Sequence, residues 1–181
     1  MYKLYLIISA QRHGSTTFCS EIHNNKYANC YFELLNNRRD LRSKELLFPF
    51  LDEKLLDSNV CFKIFYDHCN LVLLQELIQN YNPVVIFLER NLANAYVSYV
   101  HAMTTGNWNT NKSTNDKITH AYINEKAILP FHTYISKISL FFVETKRICQ
   151  ELNVCYHNLS FEEDIVNSYR LKTKLKEVFT A

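Results

Sequence analysis

The stretch SAQRHGSTTF, residues 9–18, decides the reading of this chain; it grows out of the apolar run YLIIS at 5–9. It holds one of only two glycines in 181 residues, with an arginine two positions before it and three hydroxyl side chains directly after it. A short apolar run, a loop with a single glycine and the helix-forming segment TTFCSEIHN make a strand, a turn and a helix. In open α/β sheets that turn is a common anion site, beyond the carboxyl end of the strand. Gly14 permits a positive φ or a close backbone approach, while successive amides and the helix N-terminus point at an anion. Ser15, Thr16 and Thr17 add hydroxyl donors and a helix cap. Arg12 brings a permanent positive charge whose fork suits phosphate or sulfate.

Working outward, short runs dense in apolar and β-branched residues recur at 60–66 (VCFKIFY), 84–89 (VVIFLE) and 153–160 (NVCYHNLS). They lack strict alternation, as expected of strands covered on both faces. Between them, 70–81 sets Leu71, Leu74, Leu77, Ile78 and Tyr81 at helical spacing, and Asn82-Pro83 stops it. A longer pattern from about Phe131 to Leu152 carries Ile135, Ile138, Phe142, Ile148 and Leu152. Alternating strands and helices predict an α/β fold of P-loop NTPase type: a three-layer sandwich around a central, mostly parallel sheet. The whole chain, 1–181, reads as one domain. The polar stretch 104–117 (TTGNWNTNKSTNDK) holds Gly106 and the single tryptophan, Trp108, and a loop that long is usually functional or disordered.

The formal net charge is +2 and no block of five like charges occurs, so neither a nucleic-acid tail nor a solvating acidic segment is indicated. The apolar start lacks a charged leader, a cleavage site and the ~20 residues of a membrane span. The six cysteines form no CxxC pair, which predicts free thiols in a reducing cytoplasm.

The nearest general motif is the P-loop GxxxxGK[ST]. With Gly14 as its second glycine, Ser9 stands where the first belongs and Ser15 where the lysine belongs, so the loop's positive charge has moved to Arg12. RHGSTTF instead resembles the R-S-G-[ST]-[ST] loop that binds the 5′-phosphosulfate of 3′-phosphoadenosine 5′-phosphosulfate (PAPS) in sulfotransferases, with His13 in place of the usual serine. Arg90 at the end of VVIFLE and Ser98 eight residues later are similar to that family's 3′-phosphate motif, with Leu92 in place of its proline. CYFELLN at 30–36, CFKIFYDH at 61–68, AMTTGNW at 102–108 and LSFEEDI at 159–165 resemble segments of its bacterial carbohydrate branch, the nodulation-factor and trehalose sulfotransferases.

That resemblance implies a sulfuryl transfer from PAPS, leaving 3′-phosphoadenosine 5′-phosphate (PAP), to a hydroxyl of a small-molecule acceptor, a carbohydrate or glycolipid, with no metal. Arg12, His13, Gly14, Ser15, Thr16 and Thr17 would hold the phosphosulfate, and Arg90 with Ser98 the 3′-phosphate. Glu33 is the first candidate for the base, its pKa expected to be raised by partial burial; as an alternative it is a surface glutamate opening a helix. His68 is the second candidate, or else a strand-end histidine capping the helix that starts near Asn70. Lys63 reaches the sulfuryl group or lies on an edge strand facing solvent, since a mid-strand lysine is costly to bury without an anion. Trp108 stacks on adenine, lines the acceptor pocket, or is a loop aromatic without a partner. Two other functions remain open: a P-loop nucleotide or small-molecule kinase, against which the missing lysine counts, and a degenerate nucleotide-binding relative without turnover.

Overall fold

The computed structural model describes residues 2–106, 108 and 128–180. Five strands form one sheet: β1 (Leu4–Ile8), β2 (Asn29–Cys30), β3 (Val60–Ile64), β4 (Val84–Glu89) and β5 (Tyr156–Ser160). Their spatial order is β2-β3-β1-β4-β5, and every pairing is parallel. The strand that feeds the glycine loop is therefore central, and the sheet is wholly parallel.

Parallel strands need crossovers, and helices supply them on both faces. Alternation along β1 sorts the layers. Leu4, Leu6 and Ile8 join a core with residues of α2 (Leu34–Asn37), α3 (Lys44–Lys54), α4 (Leu71–Tyr81), α5 (Leu92–Thr105) and α6 (Phe131–Glu151). Tyr5 and Ile7 join the opposite core with Phe18, Cys19 and Ile22 of α1 (Ser15–Asn24) and Leu171, Leu175 and Val178 of α7 (Ser168–Thr180). The predicted three-layer sandwich is present. No described helix is long and apolar enough to cross a membrane.

The predicted elements recur with adjusted ends. Asn70 caps α4 by accepting from the amide of Leu73 at 2.8 Å, and the helix ends at Asn82 in the left-handed region. Asn91 caps α5 in the same manner, so Leu92 stands at the first helical position where the proline of the resembled motif would stand. Residues 153–155 precede β5: Asn153 has φ 54° and the Val154 amide returns to the Cys149 carbonyl at 2.8 Å, closing α6. Of the polar stretch 104–117, Thr104 and Thr105 end α5, Gly106 is its left-handed cap, and Trp108 is described; the rest lies outside the described residues. The six cysteines are free thiols.

Candidate functional site

β1 hands its ladder to the loop through the Ser9 amide, which donates to the Ile64 carbonyl of β3 at 3.1 Å. The chain then turns by placing Arg12 (φ 69°) and Gly14 (φ 80°) in the left-handed region. At Gly14 the requirement is doubled, because an added Cβ would lie 2.3 Å from Cδ2 of Phe161. Gly14 itself is the cap residue of α1, and no side chain caps that helix. The expected hydroxyl cap is therefore absent. The first-turn amides of Ser15, Thr16 and Thr17 face outward without a side-chain acceptor, as an anion-binding helix end requires.

These amides open into a cavity of about 690 Å³ at the carboxyl edge of the sheet, a size suited to a nucleotide-scale ligand. All the candidate site residues except His13 and His68 line it, joined by Gln11, Phe65, Trp108 and Phe161. Among the described residues its charged lining is Arg12, Lys63 and Arg90 against the carboxylate of Glu33.

The two arginines meet. Arg90 Nη1 donates to the carbonyl of Arg12 at 2.5 Å, and Arg12 Nε donates to Ser98 Oγ at 2.8 Å. Arg12 Nη1 donates to the Trp108 carbonyl. Burial first, and then the neighbouring Arg90 charge, lower the Arg12 pKa. Ser98, expected to serve Arg90, is thus bonded to Arg12. Trp108 lines the cavity while 44% exposed, its ring centroid 6.5 Å from that of Tyr99.

Lys63 projects from β3, which lies between β2 and β1, and is 2% exposed; the edge-strand alternative fails. Its ammonium donates to Thr16 Oγ1 at 2.9 Å and lies 3.1 Å from Glu33 Oε1. The other Glu33 oxygen accepts from Asn36 Nδ2 at 3.0 Å. Burial pushes the Glu33 carboxyl up, but Lys63, Asn36 and His68 together pull it further down, so it titrates below its ordinary value of 4.5. The expected rise is overturned because the lysine reaches the carboxylate from β3, the strand paired with β2.

Neither histidine enters the cavity lining. His68, 2% exposed, accepts the Phe65 amide on Nδ1 at 3.3 Å, and its Nε2 stands 4.0 Å from Glu33 Oε2. Its nearest approach to the cavity is this one to Glu33, and it does not cap α4, whose cap is Asn70. His13, 1% exposed, points its Nδ1 at the Leu88 carbonyl at 3.0 Å, which makes Nδ1 the protonated donor. It ties the loop to β4 and lies outside the cavity lining, and burial lowers its pKa.

Phe161, at the carboxyl end of β5, was not expected here. The rule that ligands gather beyond strand ends would have pointed to it; its segment, LSFEEDI, entered only as part of the resemblance, with no role for the ring.

No family model matches the chain, and no curated protein does. Among solved structures it is similar to a shikimate kinase from Bacteroides thetaiotaomicron: TM-score 0.53 and 11% identity, over 99% of this chain and 99% of that one. At that identity the likeness bears on the fold alone: the α/β sandwich around an all-parallel sheet resembles that of the kinase, and here the loop at 9–14 lies between the central strand and its helix.

Proposed function

We propose that this protein is a PAPS-dependent sulfotransferase acting on a hydroxyl of a small carbohydrate or glycolipid acceptor. The observation that carries the reading is the cavity's charge: among the described residues, three cations and one carboxylate surround a helix N-terminus without a side-chain cap. Such a lining calls for a ligand with several oxyanions. The residues fit PAPS, whose phosphosulfate supplies the group to be transferred. Thr16, the first-turn amides of α1 and Lys63 would hold the phosphosulfate; Arg12, which the resemblance assigns to that group, is bonded to Ser98 and to Arg90 and would instead join them at the 3′-phosphate. Glu33 lines the cavity and would take the acceptor's proton; His68 lies behind it as a positioning residue.

A kinase is the second reading, supported by the shared fold with the shikimate kinase. The residues present do not fit the magnesium ion that a P-loop kinase holds. Thr16 is the counterpart of the P-loop hydroxyl that ligates magnesium at about 2.0–2.1 Å. Here that oxygen already accepts from the Lys63 ammonium at 2.9 Å, and an ammonium there repels a divalent cation. The lysine that follows the second glycine in a P-loop is Ser15.

Calorimetric titration with PAP, with AMP, and with ATP plus magnesium separates these readings. The expected result is micromolar affinity for PAP, about −8 kcal/mol, lost in Arg90→Ala. Equal affinity for AMP and PAP overturns the 3′-phosphate assignment, and tight magnesium-ATP binding with phosphoryl transfer installs the kinase reading. Labelled PAPS offered with a panel of sugars then tests turnover, and PAP binding without transfer marks a degenerate relative.

A further inference from the structure

The turn after β5 contacts both basic elements of the cavity, yet none of its residues has a role in the reading above. It is a self-capped turn: Asp164 Oδ2 accepts the Ser160 amide at 2.8 Å, and Ser160 Oγ accepts the Glu163 amide at 3.4 Å. The turn presents Phe161 inward. One edge of the ring lies on the Gly14 backbone so closely that a Cβ there would be 2.3 Å from Cδ2. The Arg90 guanidinium carbon sits over the same ring, 4.2 Å from its centroid. Glu162 completes the turn's grip: its Oε1 accepts the Asn91 amide at 3.2 Å and lies 3.8 Å from Arg90 Nε.

Arg90 is therefore fixed on three sides. The ring of Phe161 holds its flat face, the Arg12 carbonyl takes one Nη1 hydrogen, and Glu162 faces Nε, which is buried and makes no hydrogen bond. A guanidinium held by its face and by one edge keeps its remaining N–H groups directed to the open side, which is the cavity. Pre-ordering a long cationic side chain removes an entropy cost that binding would otherwise carry.

We propose that Phe161 is a positioning residue that aligns Arg90 and ties it to the glycine loop, so that the two anion-binding elements act as one unit. On the sulfotransferase reading, that unit grips both phosphate groups of one nucleotide, and Phe161 sets the preference for a 3′-phosphate. The role itself concerns oxyanions of any source.

The test uses two probes. Inorganic pyrophosphate reports on the anion unit without reference to any nucleotide, and PAP against AMP reports on the 3′-phosphate. Phe161→Leu is expected to weaken pyrophosphate about 5- to 20-fold, the scale of one desolvated cation–π contact, and to leave Phe161→Tyr within 3-fold of the wild type. In an Arg90→Ala background, Phe161→Leu should change pyrophosphate affinity less than 2-fold, because the group it aligns is gone. Thermal melts of the same proteins give the structural cost separately, since loss of packing appears in both backgrounds. Equal losses of affinity in both backgrounds, a Phe161→Leu protein within 2-fold of the wild type, or a wild type that binds no pyrophosphate overturns the proposal. A wild type that binds pyrophosphate but does not distinguish PAP from AMP removes the PAPS reading while leaving the alignment role to the pyrophosphate result.

Discussion

Arg12 Nε and Ser98 Oγ are 2.8 Å apart although 86 positions separate them in the chain. The bond joins the loop after β1 to the helix after β4, and places the side chain of one anion motif against that of the other. A ligand oxyanion arriving there meets a guanidinium already oriented by the hydroxyl. A hydrogen bond to a charged group contributes about 1.5–3 kcal/mol. Ser98→Ala removes an orienting contact and should weaken PAP about 3- to 10-fold; Arg12→Ala removes the charge itself and should weaken it 100-fold or more. Calorimetry on the two variants checks the ranking, and a larger loss in Ser98→Ala than in Arg12→Ala would contradict it.

Gly14→Ala should be among the most destabilising single changes in the loop. The left-handed φ of 80° costs a residue with a Cβ about 1–2 kcal/mol, and the overlap with Phe161 at 2.3 Å adds a repacking cost of similar size. The expected loss is about 2–4 kcal/mol in urea unfolding. Only the steric part depends on the ring, so the double variant Gly14→Ala with Phe161→Ala should show a favourable coupling of at least ~1 kcal/mol. Strict additivity would mean that the ring and the loop do not meet.

His13 predicts a pH dependence of stability with a definite sign. Its folded pKa lies below the ordinary 6.5, because burial disfavours the imidazolium; Arg90 lowers it further, while the Leu88 carbonyl, Glu162 and Glu89 oppose. Below pH 6.5 the unfolded chain takes up a proton that the folded chain refuses. Stability therefore falls as the pH drops, by about 1.4 kcal/mol per unit until the folded imidazole titrates. Urea unfolding at pH 7.5 and 5.5 should show the decline, and His13→Asn should flatten it. His68, whose pKa is also lowered by burial, leaves a residual slope in that variant.

Much of this arrangement was legible in the order of residues, and the remainder depends on what the fold brings together. VVIFLE gave β4 without adjustment, because five apolar residues and Glu89 are bounded by Asn82-Pro83 and by Arg90. The start of β5 did not read correctly, since Asn153 closes α6 with a positive φ inside an otherwise strand-like run. α7 carries only Leu171, Leu175 and Val178 on its buried face amid charged residues, too sparse a pattern to stand out. In the site, Arg12 and Arg90 were visible because each follows a strand. The place of His13 is not encoded by any local pattern, because its ring turns back to the Leu88 carbonyl. Lys63 was ambiguous until the sheet order placed β3 inside, and that same order delivers its ammonium to Glu33 and reverses the expected pKa shift.

The pair Lys63–Glu33 yields the last prediction. Its ions are 3.1 Å apart, the lysine 3% and the glutamate 32% exposed in their side chains. The folded pKa of Glu33 lies below 4.5, so its contribution to stability is present above that value and is lost as the pH falls through the lower folded value. Sulfuryl transfer that uses the ionised carboxylate should therefore keep its acid limb below pH 4.5 rather than near 6. Lys63→Met leaves a half-buried carboxylate unpaired and should destabilise the fold by about 1–3 kcal/mol, less than a wholly buried pair because Glu33 retains some water. Adding Glu33→Gln to Lys63→Met removes the orphaned charge and should restore part of that loss. Glu33→Gln alone frees the ammonium for a ligand, so pyrophosphate should bind more tightly while transfer falls at least ~100-fold. A Glu33→Gln protein that transfers at full rate would strip the residue of its role as base, and Lys63→Met stability unaffected by the second change would show that the two side chains do not share a charge balance.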